Sequence, residues 1–82
     1  MYDVNELLEL ALKEIENLNY NEVFLLKELF RGYEWNRIPR KDRLLLGTLF
    51  LNHINRYGGK VQPIEKTTSG QQKYKIKKEN KK

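Results

Sequence analysis

No cysteine occurs in the 82 residues, which excludes disulfide frameworks, thiolate zinc sites and cysteine nucleophiles. Histidine and serine occur once each, as His53 and Ser69. A base-activated nucleophile needs the two in contact, yet His53 falls on the apolar side of a predicted helix and Ser69 in a predicted turn. One histidine among scattered carboxylates makes no metal site either. No glycine-rich phosphate loop follows a strand, because Gly58-Gly59 reads as a helix stop. The expectation is a protein that is not an enzyme and holds no metal or cofactor. Long apolar runs are also missing. Nothing approaches the ~20 residues of a membrane span. Asp3, Glu6 and Glu9 interrupt the N-terminal positions that a signal peptide would keep apolar. The expected compartment is the cytoplasm, with no membrane partner.

What the chain does have is charge, and it is sorted by sign. Residues 1–30 carry seven carboxylates against Lys13 and Lys27, a net of −5. Residues 31–82 carry fourteen Lys and Arg against four carboxylates, a net of +10, which leaves +5 overall. A short chain of this kind makes one domain with a small core, and a large substrate cavity would be hard to sustain. Its basic half points to a polyanion.

Periodicity supplies the elements. Val4, Leu7, Leu8, Ala11, Leu12, Ile15 and Leu18 follow helical spacing, with Asp3 and Glu6 placed as a capping box. The asparagines at 17, 19 and 21 mark a turn. Glu22-Val23-Phe24 reads as a short strand and Leu25–Phe30 as a short helix that Gly32 stops. Tyr33–Ile38 reads as irregular, and Pro39 opens a helix that runs to about Arg56. Leu46, Leu49, Phe50, His53, Ile54 and Tyr57 share one face of it, with Leu45 at the edge. Val61–Lys66 and Gln71–Lys77 read as two strands around Thr67-Thr68-Ser69-Gly70. Pro63 makes the first of them short, bulged or an edge. Residues 78–82 are expected to be a disordered basic tail beyond a single domain at 1–77. The fold class is α+β, mainly α. Helix, short strand, helix, helix and two-stranded hairpin is the layout of a winged helix-turn-helix.

The candidate contacts follow from that layout. Arg37, Arg40, Lys41 and Arg43 crowd a helix N-terminus, where the macrodipole favours anions over cations. Phosphate would relieve the conflict. Thr48 and Asn52 have donors and acceptors suited to base edges, and Asn55 shares their side. Leu44 and Leu51 lie on or near that face and suit thymine methyls, a packed helix or another subunit. Gly47 is expected where a packed helix comes close. The hairpin offers Lys66, Thr68, Ser69, Lys73 and Lys75 to phosphates. Trp35 is expected in the core, and Tyr33 is left open between the core and a stacking platform.

Two stretches carry a family resemblance. Phe30-Arg31-Gly32-Tyr33-Glu34-Trp35 and Arg43-Leu44-Leu45-Leu46-Gly47-Thr48-Leu49-Phe50 lie within a match over about residues 4–77. They resemble a family of small uncharacterised proteins of Gram-positive bacteria, their plasmids, phages and conjugative elements. Such proteins are described as a domain of unknown function, and some carry a single-strand DNA-binding label. The resemblance implies a bacterial or mobile-element origin and transfers no catalytic residue. The leading expectation is duplex DNA binding as a regulator or mobile-element accessory. Single-strand binding through Tyr33 and Trp35 is one alternative. A protein-interaction module, using acidic helix 1 and exposed leucines, is the other, and helix 1 is also where a homodimer would form.

Overall fold

Asp3 starts the first helix as its spacing to Glu6 predicts. Its carboxylate accepts from the Glu6 backbone N–H at 2.9 Å, and the Glu6 carboxylate accepts from Asp3 N–H at 3.1 Å. The computed structural model describes residues 3–57 and 59–77. Helix α1 spans Val4–Glu14, and one 3-10 turn at Ile15–Asn17 replaces its expected last residues. Asn21 takes a left-handed φ of 70°, which asparagine tolerates, and turns the chain into strand β1 at Val23–Leu25. A 3-10 turn at Leu26–Leu29 follows, its entry held by the Glu28 carboxylate accepting from Leu25 N–H at 2.9 Å.

The segment expected to be irregular is a helix. Strand β1 and this turn lead to α2 at Gly32–Arg37, so Gly32 opens a helix where it was expected to stop one. Glu34 accounts for the start, because its carboxylate accepts from Arg31 N–H at 3.4 Å. Ile38 is buried and Pro39 forms the joint; helix α3 then runs Arg40–Tyr57. The Pro39 carbonyl accepts from both Asp42 and Arg43 N–H at 3.0 Å. Gly47 does not sit against another backbone as expected. Nothing lies within 4 Å of where its Cβ would be. Gly58 of the expected helix stop, and the tail at 78–82, lie outside the described residues.

Strands β2 (Val61–Lys66) and β3 (Gln72–Ile76) complete an antiparallel sheet of order β1-β3-β2. Phe24 pairs with Tyr74 on one side, and Pro63 pairs with Tyr74 on the other. Strand β2 is an edge, and its register slips between Pro63 and Lys66, which suits the proline. The Gln72 side-chain amide donates to the Ile64 and Lys73 carbonyls and pins this bulge. The fold is therefore α+β and mainly helical.

Tyr74 is the centre of the core, at 2% exposure. Its ring stacks on Phe24 at 5.6 Å and meets the edge of Phe50 from α3 at 4.9 Å. Leu7 and Ala11 of α1, Ile15 of the 3-10 turn after it, and Leu46 and Ile54 of α3 are buried in the same cluster. Burial pushes the Tyr74 hydroxyl up to about 12 from its ordinary 10. A group with a raised folded pKa contributes its full share below the unfolded value and loses it as pH climbs to the folded one. Stability should thus fall between about pH 10 and pH 12 by an amount on the order of 2 kcal/mol from this residue. Urea midpoints of wild type and Tyr74→Phe across that range test it. The phenylalanine variant should lack this part of the decline, and parallel curves would refute the assignment.

Candidate nucleic-acid interface

The α2–α3 joint gathers the predicted cations but divides their work. Arg43 turns inward: its Nε donates to the Ile38 carbonyl at 3.0 Å, and its guanidinium lies 5.8 Å from the centre of the Trp35 ring. It therefore holds the joint together and is not a free cation. Arg37 lies over the Tyr33 ring at 5.0 Å, one helical turn apart on α2. Arg40 and Lys41 are exposed. Among the described residues only two ion pairs form, Lys60 with Glu16 at 2.7 Å and Lys73 with Glu65 at 3.0 Å. Neither draws on the joint. Arg40 and Lys41 thus stand unneutralised beside a helix N-terminus.

The outer face of α3 follows from the core stripe Leu46, Phe50 and Ile54. A step of ~100° per residue puts Lys41, Leu44, Leu45, Thr48, Asn52 and Asn55 opposite it, and all six are exposed. Thr48 Oγ1 donates to the Leu44 carbonyl at 3.3 Å, which leaves its lone pairs outward. Leu44 is 62% exposed and Leu45, expected at the edge of the buried face, is 49% exposed. Tyr57, expected on that buried face, is exposed as well, and its ring lies against His53. Leu51 packs against the core cluster.

The hairpin does not present all its lysines to this surface. Tyr74 touches Phe50 of α3, so its face of the sheet is the helix side. Lys73 and Lys75 alternate with it and occupy the opposite face, where Lys75 pairs across to Val23 and Gln62. Lys73 is further spent on Glu65, whose carboxyl its hydrogen bond holds below the usual range. Lys66 pairs with Gln72, which shares Tyr74's parity, so Lys66 is on the helix side. At the tip, Gly70 takes a φ of 91°, the Thr67 hydroxyl meets Ser69 Oγ at 3.1 Å and accepts from Gln71 N–H at 3.1 Å. Ser69 is thereby engaged within the tip, and Thr68 is exposed. Of the expected contacts, Arg37, Arg40, Lys41, Thr48, Asn52, Lys66 and Thr68 remain exposed, and none of the four cations among them is in an ion pair within the described residues.

Trp35 is half-buried between Phe30, at 5.8 Å ring to ring, and Arg43. Tyr33 is 52% exposed, and its hydroxyl accepts from Arg31 Nη1 at 3.2 Å. Arg31 belongs to this cationic rim although it was not among the expected contacts. Recognising α2 would have found it, since a helix from Gly32 aligns Tyr33 with Arg37 and sets Arg31 at its entrance.

Among the described residues no group of three or more His, Asp or Glu is placed to hold a metal ion. No described helix is long and apolar enough to cross a membrane. The chain belongs to the family described as a domain of unknown function (DUF1413), whose model matches residues 9–75. No curated protein and no solved structure matches it.

Proposed function

We propose that the chain is a winged helix-turn-helix that binds duplex DNA, as a cytoplasmic regulator or mobile-element accessory protein. One observation carries this reading: Arg40 and Lys41 are exposed, unpaired cations at the start of α3, where the helix dipole favours an anion. Phosphate supplies the missing negative charge. The strand order β1-β3-β2, with its hairpin directly after α3, supports the winged layout. Thr48 and Asn52 would then face base edges, with Leu44 and Leu45 beside them for thymine methyls. The half-burial of Trp35 between Phe30 and Arg43 ranks duplex above single strands, because of the two rings proposed for stacking Tyr33 alone is exposed. A protein-interaction reading keeps one observation in its favour, the adjacent exposed Leu44 and Leu45.

The test is binding to duplex and single-stranded DNA over a range of salt. With ~4 phosphates contacted, log K for duplex should fall against log salt with a slope of about −3.5. Salt-independent affinity, or no binding at low salt, would remove the proposal.

A further inference from the structure

From Leu44 to Asn52 helix α3 has no charged residue, although Arg40, Lys41 and Arg56 flank the stretch. Asp42, the one carboxylate of the helix, is half-buried and lines a groove beside α1 instead. The outward side chains of the stretch are Leu44, Leu45, Thr48 and Asn52. Each is limited in what it can bond. Thr48 spends its hydroxyl proton on the Leu44 carbonyl, so toward a ligand it can only accept. Asn52 makes no side-chain hydrogen bond among the described residues, so its amide offers a donor and an acceptor side by side. Leu44 and Leu45 offer apolar contact alone.

We propose that this stretch selects A·T base pairs, so that the ligand is a duplex containing a short A·T run. The inference rests on the duplex reading above and adds the sequence class of that duplex. In the major groove only thymine presents a methyl group, whereas a G·C pair shows polar atoms throughout. Leu44 and Leu45 against G·C would bury those donors and acceptors without partners, at a cost an A·T run avoids. Thr48 needs a donor, which adenine and cytosine both supply, but only the A·T pair adds a methyl beside it. The Asn52 amide matches the exocyclic amine and ring nitrogen of adenine. Guanine is read by Arg or Lys and cytosine by a carboxylate, and the stretch contains none of these. Arg56 lies two turns beyond Thr48, past the N-terminal part of the helix that meets base edges. The stretch is about 12 Å long, which covers roughly three to four base pairs.

Selection by the full chain from a random pool of duplexes should enrich sites with roughly three to four consecutive A·T pairs. Two base analogues then test the contacts without altering the protein. Uracil in place of thymine removes the methyl and should weaken the selected site about 4-fold for each methyl contacted. 7-Deazaadenine removes the ring nitrogen and should weaken wild-type binding roughly 10-fold, while leaving Asn52→Ala unaffected. Asn52→Ala itself should lose roughly 10- to 100-fold on the selected site and little on a G·C duplex. Asn52 is exposed and alanine is the better helix former, so the circular dichroism of this variant should match wild type. Duplex binding without sequence preference, enrichment of G·C sites, or indifference to either analogue overturns the inference and leaves duplex binding itself standing. Failure of the duplex reading gives a different result, no binding to any duplex at low salt, and removes both.

Discussion

The double variant Arg40→Glu/Lys41→Glu should lose roughly 100- to 1000-fold in duplex affinity, the cost of removing two phosphate contacts and adding two repulsions. Both side chains are exposed, and neither makes an ion pair or side-chain hydrogen bond within the described residues. The urea midpoint should therefore stay where it is. The salt slope should also shrink by about 2, one for each lost phosphate contact. Arg43 is left out deliberately, because its bond to the Ile38 carbonyl makes it part of the joint. An unchanged duplex affinity in a folded double variant would leave the α3 entrance without a role.

Phe50→Ala should cost about 3–5 kcal/mol, the range for emptying a buried aromatic site. Phe50 is fully buried and supplies the ring edge that Tyr74 packs against, so its loss unseats the helix from the sheet. Domains of this size rarely have more than about 5–10 kcal/mol to lose. Urea unfolding followed by far-ultraviolet circular dichroism measures it. A loss below about 1 kcal/mol would mean the aromatic cluster is not what joins α3 to the strands.

The features readable from the sequence were the local ones. Asp3 and Glu6 announced α1 at capping distance, and alternation around Tyr74 and Ile76 announced β3. Pro63 signalled an edge with a register slip. Helix α2 was missed because Gly32 resembles a stop, while the Glu34 carboxylate that starts the helix reads as surface charge. The site was legible in part. Arg40 and Arg43 are indistinguishable by type and nearly by position, yet only Arg43 reaches a buried carbonyl. Lys73 and Lys75 turned away from Tyr74 as alternation requires. Which side then faces α3 depends on the Phe50–Tyr74 contact between residues 24 positions apart, and no local pattern encodes it.

The order β1-β3-β2 also constrains when the fold can come into being. The central strand is the last to be made, and its partner β1 lies nearly fifty residues earlier in the chain. A nascent chain released only as far as Lys60 has all three helices but lacks Val61, Tyr74 and Ile76, the sheet's contribution opposite Phe24. Its apolar helical faces must wait, uncovered, until the hairpin emerges. Assembly should therefore be late and cooperative, with refolding limited by capture of β3 between its neighbours.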